Sequence, residues 1–217
     1  MNKITFAPIA PLIGGQPIGA EAAIGHPPEF VMGMAGFWGN DNLYMNYLNE
    51  TRKLDIPYYN IDTEEKSNVS HVSIVTATCP CAGLSMLNTG ANNSSRRGAD
   101  AAQNDHMYNS TRFVLESVRP RVLVGENAPA LYTSKGEPVA SRLFEIAKAA
   151  GYSMSLYKTS TVHHGIPQER HRTFYFMWDS KTAPILSWYK RDHSTLTEYL
   201  KEIPATASHQ DELIVRS

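Results

Sequence analysis

Only two cysteines occur, Cys79 and Cys81, with a single residue between them. A disulfide joining them is geometrically poor and a disulfide framework is impossible, so a reducing compartment is expected. Charge of one sign is equally lacking: twenty Lys and Arg stand against twenty-one Asp and Glu, for a net charge of -1. A uniformly basic nucleic-acid-coating protein is thereby excluded, and any such contact must be local. No run reaches the roughly 18 apolar residues of a membrane span, and no basic segment followed by an apolar signal core opens the chain. The expectation is a soluble, cytoplasmic protein with no membrane partner. What is present is a globular balance, 42% hydrophobic and 19% charged over 217 residues. One compact domain of that size buries roughly 70% of its extended surface without a staple.

Prolines and glycines punctuate the first segment. Ile4 to Gly15 is apolar, but Pro8 and Pro11 would each remove a ladder bond from a central strand, so a short strand broken early is expected. Pro17 suits a first helical turn, Ile18 to Ile24 continue it, and Gly25 with Pro27 and Pro28 stops it. Val69 to Thr78 is β-branched and free of proline, which predicts a buried strand delivering Cys79, Pro80 and Cys81 at its C-terminal end. Open α/β sheets place their chemistry there. Asn88 to Asn104 is polar and reads as a surface loop.

Met107, Thr111, Val114, Leu115 and Val118 share a helical face closed by Pro120, ahead of a strand at Arg121 to Val124. A second amphipathic helix is predicted from Pro138 to Ala150, with Val139, Leu143, Phe144 and Ala147 inward and Gly151 as its cap. Ser155 to Thr159 and Arg172 to Trp178 read as strands near the sheet edge, and Thr195 to Ile203 as a short helix. Strands alternating with helices at these lengths predict an α/β fold with a mostly parallel, doubly wound sheet.

Three groups could carry chemistry. Cys81, after Pro80 at a strand end, is either a small buried hydrophobe or a nucleophile at the sheet rim. Cys79 and Cys81 could pair on a metal, but no further cysteine completes a zinc knuckle, and no metal is expected. Glu126 follows the apolar residues Val122 to Val124 and is either a surface or capping acid or a carboxylate placed to share a proton with a ring nitrogen. Gln168 to Arg172 is either a solvated charged turn or an extended segment. In the extended form Gln168, Arg170 and Arg172 share a face and present donor forks to an anion or base edge.

Read together, these pieces resemble the cytosine-specific C5 DNA methyltransferase family, in family order. Thr78-Cys79-Pro80-Cys81-Ala82-Gly83-Leu84-Ser85 resembles its Pro-Cys nucleophile loop, with Ala82 where Gln is common. Glu126-Asn127-Ala128 is similar to its Glu-Asn-Val motif. Gly165-Ile166-Pro167-Gln168-Glu169-Arg170-His171-Arg172 is similar to the Gly-x-Pro-Gln-x-Arg-x-Arg block, the most specific of the three. Ala10-Pro11-Leu12-Ile13-Gly14-Gly15 aligns with the family's Phe-x-Gly-x-Gly-Gly, keeping only the last two glycines. The similarity covers about Ile4 to Arg172 and a little beyond.

The resemblance implies a Rossmann-like methyltransferase fold and S-adenosylmethionine as methyl donor. It gives Cys81 the role of thiolate adding to C6 of a flipped cytosine in double-stranded DNA. Glu126 would hold N3 and the exocyclic amine, Arg172 the O2, and Arg170 would steady the loop near the thiolate. On the cofactor side it implies Gly14, Gly15, Asp62 and Pro80, with Asp41 the nearest candidate for the ribose. Cys79 receives no role beyond packing. Arg96 and Arg97, in the 88–104 loop, are candidate DNA contacts, and the loop itself is expected to close over the extruded base.

Residues 1–178 would form the catalytic and cofactor lobe, and 179–217 a tail leading toward a target recognition region that the chain lacks. A complementary subunit carrying that region is one expected partner. The same motifs fit an RNA cytosine methyltransferase, one part of a split enzyme, or a non-catalytic methyltransferase-like binding protein.

Overall fold

A computed structural model describes residues 3–34, 42–63, 69–80, 83, 84, 98, 100–186 and 190–202. Seven strands form one sheet in the order β3-β2-β1-β4-β5-β7-β6. They are β1 (Phe6–Ile9), β2 (Val31–Gly33), β3 (Tyr58–Asn60), β4 (Ile74–Ala77), β5 (Val122–Asn127), β6 (Ser153–Ser160) and β7 (His171–Trp178). The pairings β2 with β3, β1 with β2, β1 with β4 and β4 with β5 are parallel. β7 enters antiparallel beside β5, in register from Val122↔Trp178 to Asn127↔Thr173. The mostly parallel α/β sheet expected from the alternation of elements is thus observed, with one reversed strand.

Among the described residues the α-helices are α1 (Gly15–Ile24), α2 (Asn42–Asn46), α3 (Gln103–Phe113) and α4 (Glu137–Ala149), which lie between strands, and α5 (Leu196–Glu202), which follows the last strand. One residue's difference in strand register decides which face a side chain joins. Met32 belongs to the large core with Ala7, Ile9, Val75, Leu123, Met107 of α3 and Leu143 of α4. Its neighbour Val31 joins Tyr44 and Leu48 in a separate cluster. The chain forms two compact units, Met1–Lys158 with Arg172–Ile185, and Thr159–His171 with Leu186–Ser217.

Several boundaries differ from the sequence expectations. Pro8 lies inside β1, a central strand. Backbone bonds show why this is tolerated: Phe6 and Ala10 bond toward β2, while Thr5 and Ile9 bond toward β4. By alternation, Pro8's missing donor faces β2, where the ladder register comprises only Ile9↔Met32. β4 is shorter than the expected Val69 to Thr78, because Val69 to Ser73 lie outside it. Gln103 and Asn104 belong to α3 rather than to the preceding loop, since Asn104 is buried at 1% exposure and its amide donates to the Gly98 carbonyl at 3.0 Å. Phe144, expected inward, is 48% exposed, because α4 buries the narrower stripe Val139, Leu143 and Ala147.

The helix ends follow their sequence signals. Gly25 caps α1 at φ 92 and Gly151 follows α4 at φ 86. At the start of α5 a reciprocal capping box forms, with Thr195 N–H donating to Glu198 Oε2 at 2.8 Å and Glu198 N–H donating to Thr195 Oγ1 at 3.3 Å.

Candidate active site

The strand ends bring two of the expected catalytic residues together. Glu126 lies opposite Phe174 in the antiparallel register, and Arg172 is two residues before Phe174 in β7, on the same face. That diagonal neighbourhood lets long side chains meet. The Arg172 guanidinium Nε pairs with the Glu126 carboxylate, each side chain being only about a fifth exposed, at 20% and 21%. The pair has limited access to water, so its attraction is less screened than that of a surface pair. It offers a planar donor fork and a carboxylate side by side at the carboxyl end of β5.

Asn127, next in the strand, is wholly buried. Its Oδ1 accepts from the Ala128 N–H at 2.8 Å and its amide contacts the Met107 sulfur at 3.4 Å. These bonds fix the turn out of β5. The adjacent Gly125 has a different task, for a Cβ placed there would fall within the Tyr175 ring. An isolated glycine inside a strand pattern signals a close approach. That signal stood in the sequence next to Glu126, and only the structure shows that tyrosine answers it.

Cys79 follows β4 and is buried at 3% exposure, its sulfur 3.1 Å from the Ser110 hydroxyl of α3. Packing is the environment seen at Cys79. Cys81 lies outside the described residues, as do Asp41, Arg96 and Arg97. Beyond the cysteines, Gly83 docks closely: a Cβ there would stand 2.8 Å from both the Ala101 Cβ and Asn104 Oδ1. The Gly98 N–H donates to the Gly83 carbonyl at 2.7 Å. Gly83 is therefore held against the start of α3 by a contact no larger residue permits.

Arg170 belongs to the second unit. There Thr161 organises the Gln-x-Arg segment: its hydroxyl donates to the Gln168 carbonyl and accepts from the Arg170 N–H at 3.0 Å, and its N–H donates to the Arg170 carbonyl at 3.2 Å. Gln168 to Arg172 is consequently not one extended strand. Gln168, Glu169 and Arg170 form an exposed, Thr161-stapled turn, and only His171 and Arg172 enter β7. Side-chain bonding to Thr161 competes with strand pairing before His171.

At the opposite half of the rim, the turn from β1 to α1 is held by left-handed residues. Gly14 has φ 91, and Ala10 and Leu12, which stand where the aligned motif has its aromatic and first glycine, have φ 50 and φ 56. A Cβ on Gly14 would strike the ring of Tyr44, which is wholly buried. Gly15, by contrast, faces open space, with nothing within 4 Å of its would-be Cβ. Beside this turn Ala10 and Met34 form an apolar cluster with Leu12 and Ile61. Asp62 follows Ile61 and is exposed, its N–H donating to Asn60 Oδ1 at 3.1 Å. Tyr44 was missed in the sequence because nothing local marks it as the buttress beneath Gly14.

Comparison with known proteins agrees with this fold. The model of the C-5 cytosine-specific DNA methylase family matches residues 13–214. The Type II methyltransferase M.AgeI of Thalassovita gelatinovora is 30% identical over 105 residues, 48% of this chain and 23% of that protein. The methyltransferase EhMeth of Entamoeba histolytica is similar in structure at a TM-score of 0.60 and 15% identity, over 92% of this chain and 60% of that one. DNMT2 of Spodoptera frugiperda gives a TM-score of 0.55 at 11% identity, over 89% of this chain and 55% of that one. The chain thus spans about a quarter of the curated relative and somewhat over half of each solved chain. A methyltransferase-like sheet, and a family model that matches most of its length, make this chain a member of the C-5 cytosine-specific DNA methylase family.

Proposed function

We propose that this chain is the catalytic part of a DNA (cytosine-5)-methyltransferase that acts on a flipped cytosine through a covalent adduct at Cys81. The observation that carries the reading is the Glu126–Arg172 pair, a carboxylate and a guanidinium joined across β5 and β7. A cytosine's Watson–Crick edge offers an amine donor, a ring nitrogen and a carbonyl acceptor in a row. Glu126 accepts from the amine and shares a proton with N3, while Arg172 donates to O2. Polarising the ring this way makes C6 electrophilic.

The Cys81 thiolate adds to C6, and C5 becomes the carbon nucleophile. S-adenosylmethionine supplies the electrophilic methyl group. After transfer the C5 proton leaves to a base and the thiolate is expelled, which restores both the C5–C6 double bond and the enzyme. Cys81 rather than Cys79 takes this role. Cys79 is spent on core packing against Ser110, whereas Cys81 lies two residues further from the end of β4. A cationic neighbour, the role the family resemblance gives Arg170, would favour the thiolate.

The residues present fit the cofactor. Leu12 and Ile61, packed on the buried Ala10 and Met34, offer an apolar wall for the adenine, and Asp62 a carboxylate for its amine. The N-terminus of α1, open above Gly15, suits the carboxylate of the methionine portion. Asp41 takes the ribose and Pro80 the cofactor edge nearest the nucleophile turn in this reading.

Double-stranded DNA is the substrate proposed, contacted by Arg96, Arg97, Arg170 and Arg172. A restriction-modification role in the cytoplasm, at the nucleoid, belongs to the same proposal, and the curated relative is named a Type II methyltransferase. Among the described residues no helix is long and apolar enough to cross a membrane. Residues 1–178 act as the catalytic and cofactor lobe in this reading, and 179–217 lead toward a target recognition region, for which a complementary subunit is one source.

The test is transfer of labelled methyl from S-adenosylmethionine to duplex DNA, with transfer RNA as competitor and with or without a recognition-region subunit. Label in DNA cytosine supports the reading. Label in RNA alone, or none under either condition, overturns it.

A further inference from the structure

Resting on that functional reading, we infer that Tyr175 and Cys79 form a positioning pair that fixes the chain where it leaves β4, ahead of the nucleophile of that reading, relative to the strand carrying Glu126. The registers place three strands side by side here: Ala77 of β4 pairs with Gly125 of β5, and Gly125 pairs with Tyr175 of β7. Gly125 has no side chain, and the Tyr175 ring lies across the trough this leaves, with its outer carbons where a Cβ would stand. The ring thus crosses β5 from β7 and carries its hydroxyl toward the far side, where Cys79 follows β4. Tyr175 is wholly buried.

Its hydroxyl faces the Cys79 thiol and the Thr111 hydroxyl without a fully aligned hydrogen bond to either. The proton order of the neighbouring chain is fixed: Ser110 donates to the Met107 carbonyl at 3.1 Å, so Cys79 S–H donates to Ser110 across 3.1 Å. The Cys79 sulfur lone pairs are then the acceptor offered to Tyr175. Burial holds the Tyr175 phenol well above its ordinary range, so it remains a donor across the working pH range.

A phenylalanine would fill the same trough without bringing a poorly satisfied hydroxyl into the core, where such a group costs stability. The hydroxyl therefore calls for a role, and its address supplies one. It sits between residue 79, two positions before Cys81, and residue 125, one position before Glu126. Glu126 itself points to the opposite face of β5, so Tyr175 does not touch the base and acts only through the backbone of the two strand ends.

The experiment uses the full chain with Tyr175→Phe, Cys79→Ala and the double variant, and has two readouts. Alkylation of Cys79 and Cys81 by iodoacetamide, resolved by peptide mass spectrometry, needs neither DNA nor cofactor. Tyr175→Phe is expected to raise Cys79 labelling at least fivefold while its urea midpoint stays at or above that of the wild type. Single-turnover methyl transfer is expected to slow about tenfold with unchanged KM for S-adenosylmethionine, and the double variant to be no slower than Cys79→Ala alone.

Wild-type labelling and rate in Tyr175→Phe would overturn the inference, as would a double variant slowed by the product of the single effects. A wild-type chain that labels as described but transfers no methyl would count against the functional reading, and the labelling arm would still decide the positioning pair.

Discussion

Adjacent glycines at the β1–α1 turn are expected to respond oppositely to the same methyl group. Gly14→Ala places a Cβ on a residue at φ 91 and drives it into the buried Tyr44 ring. A left-handed backbone costs a non-glycine residue about 1–2 kcal/mol, and overpacking a filled core adds about 1–3 kcal/mol. The sum is about 3 kcal/mol, or about 10 °C in Tm for a chain of this size. Gly15→Ala places its methyl in open space at the first position of α1, where alanine is the better helix former by less than the about 1 kcal/mol of a helix interior. Its stability should hold or rise.

The functional consequences then separate. Urea unfolding should rank Gly15→Ala at or above the wild type and Gly14→Ala well below. Isothermal calorimetry at a temperature where all three are folded should show Gly15→Ala binding S-adenosylmethionine at least tenfold more weakly, a loss of about 1.4 kcal/mol. Full cofactor affinity in Gly15→Ala would refute the placement of the methionine portion over that residue. Equal stability of the two variants would refute the packing argument for Gly14.

Gly125→Ala should destabilise by about 3 kcal/mol through collision with Tyr175, and combining it with Tyr175→Ala should cost less than the sum of the two, by denaturant titration of the four-variant cycle. For the rim pair, Glu126→Gln is expected to cut single-turnover methyl transfer by about 100-fold or more, while a Glu126→Ala, Arg172→Ala cycle in unfolding free energy should give a coupling of about 1–2 kcal/mol; additivity there would show that the pair is not formed in solution. Alkali provides a separate check. Burial raises the Tyr152 phenol to about 12, and its hydroxyl donates to the Pro120 carbonyl at 2.6 Å. The unfolded chain therefore loses this proton first, and the stabilisation present below about pH 10 is lost as pH rises toward 12. Unfolding titrations at pH 8, 10 and 11 should show a shallower decline in Tyr152→Phe than in the wild type.

Much of this architecture was legible because it rests on periodicity and punctuation. The α1 stop at Gly25, the α4 stripe at Val139, Leu143 and Ala147, and β7 at Arg172 to Trp178 all follow from local pattern. Misreadings arose where tertiary partners decide. Phe144 fits the helical period yet faces water, since α4 meets the core along a narrower line. Pro8 breaks a strand rule harmlessly, because its missing donor faces the short side of the ladder.

The candidate site was legible as motifs, while its working contacts were not. No sequence spacing states that Arg172 reaches Glu126, because that depends on β7 entering antiparallel beside β5. Thr161, which staples the Gln168 to Arg170 turn, carries no signal of its own. Gly125 did carry one, though its partner Tyr175 could be found only through the register.

The central claim is chemical: one of two neighbouring cysteines attacks a cytosine. The most direct measurement is trapping on duplex DNA containing 5-fluorocytosine with S-adenosylmethionine, followed by peptide mass spectrometry that separates Cys79 from Cys81. The account predicts a methyl-bearing adduct on Cys81 that disappears in Cys81→Ser and survives in Cys79→Ser. An adduct on Cys79, or none even with a recognition-region subunit supplied, would contradict it.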